Sequence, residues 1–332
     1  MDDVDVFVQW QINISLQKKT MDYNIWMAPL HGITDWVFRS CYTRHFGGID
    51  ISIAPFVSIN SNLKEKRTKF FDLFHENNQV LPVIPQVMAN QSSQLITAAN
   101  ILAELGYTEF NWNLGCPSSQ VTKHGRGAGL LKTPDRIEEI LNEYFFHSKM
   151  PISIKIRIGY NSVLQYDRII EILNKYPLSF ICLHPRLASQ MYEGQVDLNA
   201  FERLVKSTNH RVIYSGDITD KKYFDSLRQN FPSVKDWMIG RGLMTNFNLM
   251  HNLNPECPEM NVEKFMEFYH DILQKNIQRF DRENPVLGKM KELWRYFICN
   301  DILNHVDLKG IMRSQSLNEM NSYIEKQKSI QL

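Results

Sequence analysis

In the stretch NLGCPSSQVTKHGRGAGLL, from Asn113 to Leu131, a single cysteine stands between a glycine and a proline, and the loop beyond it carries Lys123, His124 and Arg126 among glycines. A free thiol titrates near pH ~8.5, so Cys116 is mostly protonated at neutral pH. As a nucleophile it needs a base or a helix dipole to generate thiolate. As a general acid it needs only the neutral thiol held near the reacting carbon. A metal role needs more ligands than are at hand, since none of the five cysteines (Cys41, Cys116, Cys182, Cys257, Cys299) forms a CxxC pair. Proton donor, nucleophile and structural thiol all stay open on residue chemistry alone.

Other residues could complete a site. In ISIKIRI (152–158) the isoleucines share one face of an extended chain, while Ser153, Lys155 and Arg157 share the other. An unpaired buried lysine is costly, so Lys155 implies an anionic partner or ligand. The bland reading is an ordinary polar face on an edge strand. Ser215-Gly216-Asp217 and Gly240-Arg241 close two later apolar runs. Glycine-ended strands let backbone amides approach a phosphate. Gln86, Asn113 and His184 also end apolar runs, with Arg186 two residues further on. Each alone could merely cap a turn; together they make a plausible polar site.

The elements that must position these residues are eight short apolar runs: 25–29, 51–56, 80–88, 110–114, 152–158, 180–184, 211–216 and 236–240. Helix-like patterns fill most gaps, as in 92–105, 134–145 and 220–231. Strands alternating with helices predict parallel βαβ units, and eight of them fit an α/β fold of the (β/α)8 TIM-barrel class better than an open sheet. In such a barrel the loops after the strands build the active face. The longest gap holds the cysteine loop, which makes 122–129 a candidate lid. NPECPEMN (254–261) reads as a linker, and helical spacing then dominates to the end. The expected division is therefore a catalytic barrel over 21–253 and a small C-terminal helical domain over 254–332. Residues 1–20 find no partner in this scheme, precede a second methionine at Met21, and read as a flexible N-terminal extension.

A formal net charge of +1 on 332 residues argues against a generic polyanion binder, so any nucleic-acid contact must be a local patch. Scattered, odd-numbered cysteines suggest a reducing compartment, and no segment reads as a membrane span or signal peptide, so the cytoplasm is expected. No metal is expected, and a monomer is the default.

Taken together, MAPLHGITDWVFR (27–39), PVIPQVMAN (82–90), FNWNLGCPSSQVTKHGRGAGLLKTPDRI (110–137), ISIKIRIGYN (152–161), LHPRLASQMYEG (183–194), IYSGDITD (213–220) and MIGRGLM (238–244) resemble the tRNA-dihydrouridine synthases, flavin enzymes with a barrel and a C-terminal helical domain. The resemblance implies FMN over the barrel mouth, contacted by Pro29, Leu30, His31, Gln86 and His184. Lys155 would stabilise negative charge on the reduced cofactor. The backbone of Ser215, Gly216, Asp217, Gly240 and Arg241 would hold its phosphate. NADPH (or NADH) would be the reductant, Asn113 would position a uracil flipped out of tRNA, and Cys116 would protonate its C5 while hydride reaches C6. RNA contacts would come from Lys123, Arg126, Arg186, Lys289, Lys291 and Arg295, with Lys132 beside the cysteine loop and the basic run KEKRTK (64–69) as a further candidate. Two positions depart from the family: Ser215 where asparagine is usual, and Pro185 within a usual HGR. Pro185 removes one backbone donor near the phosphate end. Competing readings are a barrel flavoprotein acting on a free pyrimidine-like molecule, which the basic helical region disfavours, and a non-catalytic RNA-binding relative, which Cys116 and Lys155 disfavour.

Overall fold

The computed structural model describes residues 21–60, 65–304 and 306–328. The extension expected over 1–20 and Lys64 of the basic run lie outside the described residues. All eight apolar runs form strands: β1 (Asn24–Met27), β2 (Ile51–Ile53), β3 (Val57–Ser58), β4 (Val83–Ile84), β5 (Gln86–Met88), β6 (Phe110–Leu114), β7 (Ile152–Gly159), β8 (Ile181–Leu187), β9 (Val212–Ser215) and β10 (Asp236–Ile239). Ten strands arise from eight runs because Pro55 and Pro85 interrupt the second and third, where a residue without an N–H cannot continue a ladder. β2 pairs with β4 and β3 with β5, so the two halves of one run lie beside the two halves of the next. β1 pairs with both β2 and β10, every ladder is parallel, and the ring closes. The expected TIM barrel is the observed architecture.

Strand alternation divides the interior into two environments. Ile152, Ile154, Ile156 and Ile158 point outward into the main core under the helices, at most 2% exposed. Inside the barrel, Trp26, Ala28, Ile53, Ile84, Phe180, Cys182, Ile213 and Met238 make a separate apolar plug. Asp236 seals one end, accepting from Trp26 Nε1 (2.9 Å), Asn24 Nδ2 (2.8 Å) and Arg211 Nε (2.7 Å). Towards the carboxyl ends of the strands, inward positions turn polar: Gln86, Asn111, Asn113, Ser153, Lys155, Arg157, His184 and Ser215.

The outer helices begin at legible signals. Asp35 caps α1 (Trp36–Phe46) by accepting from Phe38 N–H at 3.1 Å, and Pro134 opens α3 (Pro134–His147), which follows α2 (Ser92–Glu104). The remaining barrel helices are α4 (Tyr166–Leu173), α5 (Leu198–Ser207) and α6 (Lys221–Asn230). Beyond them α7 (Val262–Arg279) packs on α1, with Phe268 edge-on to Phe46 at 4.9 Å, and is followed by α8 (Glu283–Phe297). The expected linker at 254–261 is fixed in place: Cys257 and Met260 are buried, and Met260 N–H donates to Asn248 Oδ1 at 2.7 Å.

Candidate active site

Neutral amides run across one side of the mouth. Ser153 Oγ accepts from Asn111 Nδ2 (3.0 Å), Asn111 Oδ1 from Gln86 Nε2 (2.8 Å), and Gln86 Oε1 from Asn113 Nδ2 (2.8 Å). Asn113 Oδ1 then accepts the backbone N–H groups of Gly115 (3.0 Å) and Cys116 (2.9 Å). Asn113 therefore fixes the backbone that carries the thiol, and one Nδ2 proton stays available for a ligand. The loop beyond is folded down rather than raised as a lid: Ala128 N–H donates to Cys116 O at 3.0 Å, Asn90 Nδ2 to His124 O at 2.8 Å, and Arg126 Nη2 to Ile59 O at 3.2 Å. Gly127, at φ +55°, is required there, since a Cβ would lie 2.8 Å from Cys116 O.

Cys116 is half-buried, and burial pushes its thiol up, partly opposed by a hydrogen bond from the Ser118 backbone and by the charges of Arg157 and Lys155. It is a neutral thiol at neutral pH. Lys155, directly across the ladder from Asn113, is held below its ordinary value by burial, with repulsion from Arg157 adding to it. Among the described residues the groups acting on Lys155 are Cys182, Arg157 and Cys116, none of them a carboxylate. Arg157 is a residue that sequence reasoning placed on the right face but gave no role. Its guanidinium donates to the carbonyls of Gly115 (3.0 Å), Leu187 (2.8 Å) and Met191 (2.6 Å), tying the cysteine loop to the loop after β8. Burial brings it down to about 10. His184 is held well below its ordinary value by burial and by Arg157, Lys155, Arg186 and Arg241 around it. Arg186 Nη1 lies 3.2 Å from His184 Nε2 and can only donate, which places the imidazole proton on Nδ1.

The opposite side of the mouth is ionic. Arg186, expected to touch RNA, is 2% exposed and engaged inside the protein. It grips both carboxylate oxygens of Asp217 (2.8 Å to Oδ1), donates to the carbonyls of Glu193 (3.2 Å) and Gly194, and braces His184. Asp217, at φ +47°, also accepts from Arg241 Nη2 at 3.2 Å. Its side chain binds guanidiniums, and two cations surround one carboxylate. Beside this triad lie two glycines, one closely packed and one at ordinary contact distance. A Cβ on Gly216 would meet Val196 at 2.9 Å, and one on Gly240 would meet Ala28 at 3.4 Å. Half-buried Leu30 borders Gly240, Pro29 precedes Leu30 in the chain, and exposed His31 stacks on Phe56 at 4.7 Å.

The expected RNA contacts divide. Lys123 and Arg295 are exposed. Lys289 is engaged in a salt bridge with Asp35 (2.9 Å) and in donation to the carbonyls of Gly32 and Ile33, and its side chain is 8% exposed. Lys291 donates to Ser314 O. Lys69 pairs with Glu65 at 2.7 Å, and Lys132 lies over the Tyr160 ring at 3.7 Å. Lys289 is thus a brace between α8 and the loop after β1 in this structure, a role that basic residue type alone does not foretell. Among the described residues no cluster of three or more His, Cys, Asp or Glu could hold a metal, and no helix is long and apolar enough to cross a membrane.

A family match makes this closed parallel barrel, with its neutral thiol, buried lysine and ionic clamp at one mouth, that of a flavin-dependent oxidoreductase. Residues 26–320 match the family model described as dihydrouridine synthase (Dus), and the chain belongs to that family. It is 27% identical over 236 residues to tRNA-dihydrouridine synthase B of Pasteurella multocida, covering 69% of each chain. To the tRNA-dihydrouridine(16) synthase of Haemophilus ducreyi it is 24% identical over 313 residues, covering 91% of this chain and 94% of that one. A morphinone reductase solved in complex with tetrahydroNAD shares the fold, with a TM-score of 0.50 at 8% identity over 73% of this chain and 90% of that one.

Proposed function

We propose that the protein is an FMN-dependent tRNA-dihydrouridine synthase that uses NADPH or NADH. The observation that carries this reading is a protonated thiol pinned by Asn113 beside a lysine that no carboxylate neutralises. The residues fit the cofactor. Lys155 answers negative charge on a flavin ring, with Pro29, Leu30, His31, Gln86 and neutral His184 around it. The backbone of Ser215, Gly216, Asp217, Gly240 and Arg241, at the ends of β9 and β10, would hold its phosphate. FMN bound there would supply the hydride chemistry for reducing the C5=C6 bond of a flipped uracil, with NADPH or NADH as reductant.

The chain's own residues do the rest. Asn113 orients the base with its remaining Nδ2 proton. Cys116 supplies the proton at C5: its S–H bond breaks, C5–H forms, and the C5=C6 double bond becomes single, giving 5,6-dihydrouridine. Lys155 and Arg157 both favour the thiolate electrostatically, so the charge left on sulfur is stabilised as it develops. Solvent then reprotonates the thiol, which burial favours. Lys123, Arg126 and Arg295 are offered as tRNA contacts. The test is reconstitution with FMN, read by the visible flavin band, followed by dihydrouridine mapping in tRNA treated with the enzyme and NADPH. A protein that takes up no FMN, or leaves tRNA unreduced, refutes the reading.

A further inference from the structure

Seven large hydrophobic side chains remain exposed among the described residues, and four of them sit on two adjacent loops at the barrel mouth. Val163 (38%) and Leu164 (85%) lie on the loop after β7; Met191 and Tyr192 (44% each) lie on the loop after β8. Ser189 N–H donates to Tyr160 O at 2.8 Å, joining the two loops. The Tyr160 hydroxyl lies 3.4 Å from Thr122 Oγ1, so the same loops border the one carrying Cys116. Single exposed apolar residues need no explanation, but a set gathered beside the reacting thiol does.

The loop after β7 is built to hold Leu164 out. Gly159, at φ +155°, turns so tightly that a Cβ would lie 2.0 Å from Ser162 O. Tyr166 N–H then donates to Val163 O at 3.0 Å, closing the turn just before α4. Leu164 therefore projects from a braced turn. The neighbouring loops carry cations over their own rings, Lys132 over Tyr160 at 3.7 Å and Arg241 over Tyr192 at 4.8 Å, while Leu164 is the aliphatic side chain left free to meet an apolar base face.

We propose that Leu164, backed by Val163, is an apolar wedge that enters the RNA base stack at the gap a flipped uridine leaves. Extruding a base exposes the apolar faces of its neighbours, and an aliphatic side chain inserted there replaces the lost stacking. The inference rests on the proposed function and deepens it. It assigns to this loop a preference for a stacked uridine over a free one.

Leu164→Ala and Leu164→Ser, both at an exposed position, are compared with wild type on two substrates: a folded tRNA transcript and a uridine-containing RNA too short to fold. NADPH oxidation without RNA checks the flavin half-reaction. Leu164→Ala should lose about tenfold in kcat/KM on folded tRNA, and less than about twofold on the short RNA. Leu164→Ser should fall further on folded tRNA, and Leu164→Met should restore activity. With 2-aminopurine beside the reduced uridine, the wild-type fluorescence change on binding should shrink in Leu164→Ala. Equal losses on both RNAs, or none on either, overturn the wedge. Unchanged activity with lost self-association overturns it in favour of a surface between copies. Wild-type enzyme that reduces neither RNA refutes the proposed function itself, and the wedge falls with it.

Discussion

The two halves of the barrel mouth hold their residues by different physics. On β5, β6 and β7 the positioning groups are mostly neutral: Gln86, Asn111, Asn113 and Ser153 pass hydrogen bonds along until two backbone amides of the cysteine loop are fixed, and the charged Arg157 adds a hold on the Gly115 carbonyl. On β8 and after β9 and β10 they are ionic: Asp217 grips Arg186 and Arg241, and Arg186 in turn braces His184. Amides orient without adding net charge, so the charge of Lys155 is left to act on whatever enters. An ion triad tolerates burial only while complete, and it fixes a surface rather than tuning a proton. The first half is suited to chemistry and the second to anchorage.

If that division holds, damage to each half should be seen by a different measurement. Cys116→Ala should lower dihydrouridine formation by at least about 100-fold, while NADPH oxidation by the flavin-loaded enzyme and the denaturation midpoint stay near wild type. Equal loss in both half-reactions would mean that the thiol is structural. Asp217→Asn should do the reverse. It strands the buried Arg186 guanidinium and should cost about 3 kcal/mol of stability, read as a lowered urea midpoint of the flavin-free protein. An unchanged midpoint would mean that the ionic half is not held by its triad.

These halves were unequally legible in the sequence. β7 could be read because one strand alternates isoleucine with Ser153, Lys155 and Arg157, and closing a barrel turns that polar face inward. The eight runs survive as strands even where Pro55 and Pro85 split them, because burial on both faces keeps such segments apolar. That Asn113 and Cys116 sit together was legible because they are three residues apart, and the amide accepts from N–H groups two and three residues ahead. The partners of Arg186 and Lys289 were not legible for the opposite reason. Asp217 lies 31 residues beyond Arg186, and nothing within either segment says that they meet. The acid of Lys289 is Asp35, in the first tenth or so of the chain. Arg157 was in view, but its three carbonyl partners lie in two loops whose approach only the folded barrel creates.

A smaller effect should come from His184, which belongs to the ionic half by its contact with Arg186 yet is itself neutral. Its folded-state value lies well below the ordinary 6.5 because burial and four neighbouring cations disfavour the imidazolium. The unfolded chain takes up a proton as pH falls through 6.5 and the folded protein does not. Its stabilising contribution is therefore present above that pH and lost below it. The slope should approach about 1.4 kcal/mol per pH unit for this one proton. Urea midpoints measured between pH 7.5 and 5.5 should fall for wild type and flatten for His184→Gln. Parallel curves would mean that His184 is protonated in the folded state, against a donor arrangement in which Arg186 needs Nε2 as an acceptor.

The smallest effect separates two cations that look alike in sequence. Arg295 and Lys289 lie two turns apart on α8, but Arg295 is exposed while Lys289 is enclosed by Asp35, Gly32 and Ile33. Arg295→Ala should weaken tRNA binding only about threefold and reduce the salt dependence by about one ion, with no change in the urea midpoint. Lys289→Ala should leave the salt slope alone and lower the midpoint by about 1 kcal/mol, since it removes an ion pair and two hydrogen bonds while leaving Asp35 its pair with Arg279. Should Lys289→Ala flatten the salt dependence instead, the brace would be one that opens when RNA arrives, and the loop after β1 would then be released by the act of binding.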